Sequence, residues 1–457
     1  MAIQLPSCGA QPRSYAANEA PDSKAGVTSA SAGDAPDKSS ARFSNYQKFV
    51  VAVLAFLQFT IVLDFMLLAP LGALVLPTLN ITPSQFGLVV SAYAFSAGVS
   101  GFLAAGFADR FDRKKLLAFF YGGFLLGTLL CGLASSYYSL LLARMVTGVF
   151  AGVVGSVSMA IVTDLFPFQM RGRVMGFIQM SFGASSVLGL PVALVLSNRW
   201  GWNAPFLMLA GVGLLVGGLI QTYLRPVDEH LKHHPDRSPL HHLVQTVSNR
   251  LYLQGFVATG LLSVGGFMLM PFMSVFMVGN LGLPTVDLPL IYMITGVFSL
   301  LSGPLIGRAS DAVGKFPVFA FGCAMTIVMV IIYTHLGATS LWELALVLVL
   351  LHIGIFSRMI SASALMSALP KTLDRGAYMS ISSSLQQVSG GVAAALAGLI
   401  VVQTPAGLLL HFDTLGYVLV CTTLLTLGMM YLIDRRIRDA ATGGEAAAAS
   451  RPAVQSE

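Results

Sequence analysis

Charged side chains are scarce in this chain. Asp, Glu, Lys and Arg make up 10% of its 457 residues, against a share of about 25% in soluble domains. With 55% of the residues hydrophobic, no water-soluble fold hides that much apolar surface. Cysteine is scarce too. Cys8 stands near the N-terminus, and Cys131, Cys323 and Cys421 stand singly inside apolar runs, so neither a disulfide framework nor a metal-binding spacing is present. No nucleotide-binding motif occurs, which argues against ATP as the energy source. No nucleophile or metal-ligand set is assembled at membrane depth, which argues against an embedded enzyme. The alternating apolar–polar pattern of a membrane β-barrel is missing as well.

What the sequence does have is a series of apolar runs near 47–75, 86–107, 116–134, 139–162, 174–196, 204–224, 251–278, 288–309, 317–335, 342–366, 377–402 and 414–433. About twenty such residues cross a bilayer as a helix. The chain is therefore predicted to be an all-α membrane protein with twelve transmembrane helices in two bundles of six. The expected organisation is a disordered cytoplasmic tail (1–44), a first bundle (45–224), a cytoplasmic linker (225–250), a second bundle (251–434) and a cytoplasmic tail (435–457). Residues 1–44 have neither the apolar core of a signal peptide nor the net basic charge of a transit peptide. The linker carries five histidines, His230, His233, His234, His241 and His242. Their irregular spacing fits a solvated, pH-sensitive loop better than a metal site.

Lys and Arg resist translocation and set orientation. With the N-terminus inside, all but three of the 26 basic residues fall in tails, cytoplasmic connections or inner span ends. The exceptions are Arg199 in an external loop, and Arg144 and Arg358 within spans. Both termini are thus expected in the cytoplasm, and the cluster "GFADRFDRKK" (106–115) is expected at the cytoplasmic turn between spans 2 and 3.

The two halves echo one another. "GFLAAGFADRFDR" (101–113) aligns with "GPLIGRASDAVGK" (303–315), matching Asp109 with Asp311 and Arg113 with Lys315. "PFQMRGRVM" (167–175) aligns with "PKTLDRGAYM" (370–379) with one residue inserted.

On these residues the chain resembles a major facilitator superfamily transporter, of the twelve-helix proton-coupled drug or sugar efflux type. The family motif G-x-L-a-D-r-x-G-r-k corresponds to "AGFADRFDRK" (105–114), with Asp109, Arg110, Arg113 and Lys114 in place and Ala105 and Asp112 at the two glycine positions. The second copy keeps both glycines, as Gly307 and Gly314. An aspartate at position 112 still tolerates left-handed geometry better than most residues do. "LLLARMVTGVFAG" (140–152) resembles the span 4 signature of the proton-driven branches, through Arg144 and Gly148. "GLPVA" (189–193) matches the antiporter signature of span 5 poorly. The resemblance implies that Asp109, Arg110, Arg113 and Lys114, with Asp311 and Lys315 in the second copy, form a conformational latch. In that latch the motif aspartate meets the start of span 11 near Arg375–Tyr378.

Ionisable groups at membrane depth are paired or line a watery cavity. Asp64 lies deep in span 1, ahead of Pro70, where related exporters also carry an acid. Its candidate partner is Arg144, though by residue count the two differ in depth by roughly 10 Å. Asp64 and Arg144 are read as the proton-coupling pair, against the alternative of a fixed structural ion pair. Arg358 in span 10 either binds an anionic substrate group or pairs with Asp64. Arg358, Gln179, Gln387 and Thr60 are the expected cavity residues. Gly148, Gly152 and Gly155 are read as helix-packing positions. The expected function is secondary active transport by alternating access. It would export a small organic molecule (a drug-like compound, sugar or metabolite) with the proton as coupling ion and no cofactor. An importing proton symporter and a transporter-like sensor are the alternatives. The expected partners are the substrate and the lipid of the inner (plasma) membrane, not nucleic acid, and the chain is expected to act as a monomer.

Overall fold

The computed structural model describes residues 43–108, 111–227, 246–371 and 374–449. The tail before residue 43, the histidine-bearing part of the linker (228–245) and the residues Asp109 and Arg110 lie outside them.

The first half runs α1 (Asn45–Leu67), α2 (Gly72–Leu79), α3 (Pro83–Phe107), α4 (Arg113–Leu133), α5 (Tyr137–Leu165), α6 (Phe168–Ala184), α7 (Leu190–Trp200) and α8 (Ala204–Tyr223). The second runs α9 (Arg250–Phe267), α10 (Met273–Gly279), α11 (Leu288–Val313), α12 (Lys315–Thr334), α13 (Leu341–Ser367), α14 (Arg375–Ile400) and α15 (Phe412–Ala449). A small hairpin, Val402–Gln403 with Leu409–Leu410, joins α14 to α15. Local chemistry sets many of the starts. Ser44 with Gln47, Thr82 with Gln85 and Ser340 with Glu343 form capping boxes, each satisfying two backbone N–H groups that a helix start leaves open.

Proline explains the breaks, because it removes a ladder hydrogen bond and clashes with the preceding turn. Pro70 separates α1 from α2, and Pro271 separates α9 from α10, so the same break recurs in each half. Ahead of Pro191, α6 passes into α7 through a π-helical turn at Ser185–Gly189.

Among the described residues, eleven helices are long and apolar enough to cross a membrane. The twelfth predicted span is α14, a 26-residue helix. Its Ser382, Ser383, Ser384, Gln386 and Gln387 make it more polar than the rest. Many large apolar side chains face outward, such as Leu215 (72% exposed) and Leu305 (63%). In water such a surface would drive aggregation, whereas hydrocarbon is its natural solvent.

The two halves meet mainly at one end. An apolar cluster there joins Leu71, Val75 and Phe86 of the first half to Phe272, Val275 and Phe276 of the second. Ser274 Oγ donates to the Ala69 carbonyl at 2.9 Å, linking the two proline breaks directly. Toward the other end one cluster draws its buried residues from 50–224 and another from 258–433, and the contact between the halves narrows to Phe102 of α3 packed against the Tyr252, Phe256, Tyr378 and Ile381 cluster. On the predicted orientation the closed end is the outer one. Asn80, exposed in the turn after α2, tests this, with Pro226, exposed after α8. In a chain with Cys8 and Cys421 replaced by serine, Asn80→Cys is expected to react with an impermeant thiol reagent on intact cells. Pro226→Cys is expected to react only after the membrane is opened. The reverse pattern inverts the topology.

Candidate functional site

α1 places Thr60 and Asp64 on one face, four residues apart, and buries both. Asp64 is 0% and Arg144 1% exposed. Arg144 Nη1 lies 2.8 Å from Asp64 Oδ2 and also donates to the Asp64 carbonyl oxygen at 3.2 Å. Thr128 Oγ1 of α4 donates to Asp64 Oδ1 at 3.2 Å. The guanidinium carbon lies 4.3 Å from the centre of the Tyr93 ring on α3. Four helices of the first half therefore enclose one ion pair. A close charge pair with added hydrogen bonds is the form in which such groups persist out of water. The depth mismatch narrows because α5 begins at Tyr137, two residues before the apolar run, which sinks Arg144 by about 3 Å.

Gly148, one turn from Arg144, lets α3 approach closely: a Cβ at this position would stand 2.5 Å from the Tyr93 carbonyl oxygen. That contact holds the Tyr93 ring against the guanidinium. Nothing in the sequence marked Tyr93 or Thr128, since both belong to ordinary helical runs and gain their role only from the helices opposite. Gly155, read as a packing position, has nothing within 4 Å of where its Cβ would be.

A second site lies in the other half. A small cavity of about 50 Å³ is lined by Leu262, Ser263, Phe267, Arg358, Met359 and Gln386, with Gly266 and Ile355 completing it. Arg358 is 3% exposed, and its Nε and Nη2 have no hydrogen-bond partner. The pairing of Arg358 with Asp64 is not seen, because Arg144 occupies the carboxylate. Three expected cavity residues lie elsewhere. Thr60 turns into the first half, where it donates to the Leu57 carbonyl and lies 3.5 Å from the Tyr121 hydroxyl. Gln387 faces α3, with its Cβ 3.2 Å from where a Gly98 Cβ would stand, so its neighbour Gln386 takes the cavity position. Gln179 is exposed on α6 and is not among the cavity-lining side chains. The two sites are linked by rings. Phe65 lies 5.5 Å from Tyr93 and 5.8 Å from Phe267, between centroids.

The latch motif is described in part, since Asp109 and Arg110 fall outside the described residues. Arg113 is buried; its Nε lies 3.1 Å from Asp164 Oδ2 at the end of α5, and its Nη1 donates to the Ala108 carbonyl at 2.7 Å. Lys114 Nζ donates to the Gln221 carbonyl near the end of α8. Asp112 is not left-handed. With φ at −56° it caps α4, accepting from Lys114 N at 2.8 Å and from Val227 N at 3.2 Å. The second copy keeps the glycine solution, with Gly314 at φ 110°. There Asp311, 75% exposed at the end of α11, pairs with Lys315 at the start of α12, a solvated pair across the Gly314 turn rather than a contact with α14. α14 starts at Arg375, as expected from the sequence.

A family model described as Major Facilitator Superfamily matches residues 54–394 and 255–454. The chain belongs to the Major Facilitator Superfamily. Relatives are distant. The uncharacterized MFS-type transporter YceJ of Bacillus subtilis (strain 168) is 27% identical over 268 residues, 58% of this chain and 67% of YceJ. Multidrug resistance protein 3 of the same organism is 28% identical over 148 residues, 32% of this chain and only 29% of that protein. Among solved structures, a bacterial homolog of the human lysosomal transporter Spinster, in an inward-facing and unoccupied conformation, superposes with a TM-score of 0.70. That match has 15% identity and covers 87% of this chain and 99% of the other. The superfamily chain is thus a multi-pass membrane transporter and not an enzyme.

Proposed function

We propose that this superfamily member is a proton-coupled exporter of a small organic molecule, working by alternating access as a monomer in the inner (plasma) membrane. The observation that carries the reading is the Asp64–Arg144 pair, fully enclosed in the first half. Asp64 is the carboxylate that takes up and releases the proton. While Arg144 donates to it, Asp64 is ionised. When α1 shifts within the first half and the pair parts, Asp64 carries a proton, and the Tyr93 ring keeps Arg144 company by cation–π attraction. Phe65 follows Asp64 in the sequence and touches both Tyr93 and Phe267. A shift of α1 at the pair is thereby felt at the cavity wall.

Outward transport is supported by the likeness to a multidrug resistance protein. Arg358 favours a second reading, proton symport that brings an organic anion inward. Purified protein in liposomes, given an imposed pH gradient and a panel of organic substrates, tests both. Substrate moving against the proton flow supports export, and substrate moving with it supports import. Flux that ignores the gradient in every case removes the proton from the mechanism.

A further inference from the structure

We infer that Arg358 receives the acidic group of the transported molecule, so that the substrate is an amphipathic organic anion, an alkyl or aryl carboxylate. This rests on the transporter reading but not on the direction or on the proton.

Arg144 and Arg358 are both buried deep in spans, and they are treated differently. Arg144 has a built-in carboxylate. Arg358 forms no ion pair among the described residues, and two of its nitrogens have no partner although it is 3% exposed. The titratable group beside it is the Cys323 thiol, a weak partner for a cation. Arginine does not shed its proton in proteins, so the charge stays. An isolated buried charge is expensive, and among the described residues the fold supplies no counter-charge. A ligand that brings one resolves the imbalance.

The surroundings describe that ligand. Two further buried donors are unpartnered, Ser361 Oγ one turn along α13 and Thr423 Oγ1 on α15. A Cβ on Gly265 would stand 3.4 Å from Arg358 Nη2 and 3.9 Å from Thr423 Oγ1. The glycine therefore lets the Arg358 guanidinium and the Thr422 and Thr423 hydroxyls draw together about one point, where a side chain would crowd them. A guanidinium fork with a nearby hydroxyl suits the two oxygens of a carboxylate. Beyond it, Leu262, Phe267, Ile355 and Met359 offer apolar wall, while Ser263 and Gln386 add two polar groups. Few polar groups on an apolar wall is the usual make-up of a small-molecule pocket.

The test uses purified full-length protein in a neutral detergent at pH 7. Thermal stabilisation is measured with hexanoate, octanoate and 4-phenylbutanoate, each beside its neutral amide. The wild type is expected to be stabilised by at least one carboxylate and not by the matching amide. Arg358→Gln is expected to weaken that carboxylate on the order of 10- to 100-fold and to leave the amide unchanged. Arg358→Lys keeps the charge but loses the fork, and should fall between; its carboxylate-to-amide ratio decides the matter if the glutamine variant does not fold. No carboxylate preference in any of the three pairs, or a preference undiminished in the variants, overturns the inference. Asp64→Asn separates this from the coupling reading. It should keep the carboxylate preference, because Asp64 is not in the cavity wall. A kept preference without any gradient-driven flux in the wild type would count against the coupling mechanism and not against Arg358.

Discussion

Asp64→Asn is expected to reduce gradient-driven transport in liposomes to the level of protein-free vesicles, while exchange of substrate down its own gradient persists. The amide keeps the size of the carboxyl and one acceptor oxygen, enough for Thr128 or Arg144 but not for both, which bond to different carboxylate oxygens, and it cannot carry the proton. The change also leaves Arg144 as an uncompensated buried cation. Breaking such a pair by removing one partner destabilises by about 3–5 kcal/mol, so protein level is expected to fall as well. Two effects are therefore superimposed, and the double variant Asp64→Asn with Arg144→Gln separates them. It removes both charges and should restore protein level. Restored level without gradient-driven transport is the expected outcome. Recovery of gradient-driven transport in the double variant would mean that the pair only holds α1 to α5, and that the proton travels elsewhere.

Gly398→Leu should produce a comparable loss of transport by a different route, with protein level close to wild type. Gly398 on α14 and Gly87 on α3 face each other across the two halves. A Cβ at Gly398 would stand 2.8 Å from the Pro83 carbonyl oxygen and 3.2 Å from the Gly87 Cα. Both obstacles are backbone, so the helices themselves must part. Overpacking of this kind destabilises the packed arrangement by about 1–3 kcal/mol, which shifts a two-state balance by roughly 5- to 150-fold. The strain falls on contacts between the halves rather than within either, which is why insertion should survive. Val275, 3% exposed in the cluster that joins the halves, serves as reporter. With Cys8 and Cys421 changed to serine, Val275→Cys should be labelled by an impermeant thiol reagent far faster when Gly398→Leu is present. Gly218→Leu is the control, since nothing lies within 4 Å of a Cβ there. Equal labelling and equal transport in all three would show that the α3–α14 approach is not part of the closed end.

The sequence marked both members of the buried pair, because a carboxylate or guanidinium inside an apolar run stands out against its neighbours. It marked the spans for the same reason: hydropathy is a sum along the chain and needs no knowledge of what lies opposite. Even α14, the most polar of the predicted spans, was legible from its length and its place in the repeat.

Partnership was not legible in this way. Residue count set Asp64 and Arg144 roughly 10 Å apart in depth, and left Arg358 as a rival partner. The packing of α5 against α1, with Arg144 Nη1 2.8 Å from Asp64 Oδ2, settled the pair. Gln386 and Gln387 differ by one position, about 100° around a helix, and only the neighbouring helices decide which of them meets the cavity and which meets Gly98. Thr60 shares the Asp64 face, yet that face turns toward Tyr121 inside the first half. Asp112 stands where the motif has glycine, and the turn was rebuilt around its side chain as a helix cap instead of a left-handed bend. What the sequence alone determined is which residues lie in the membrane and which of them are charged, since each depends on one segment at a time. Which charge meets which, and which is left to await a ligand, depends on the rotation and spacing of helices distant in the chain, and those are fixed only when all of them pack at once.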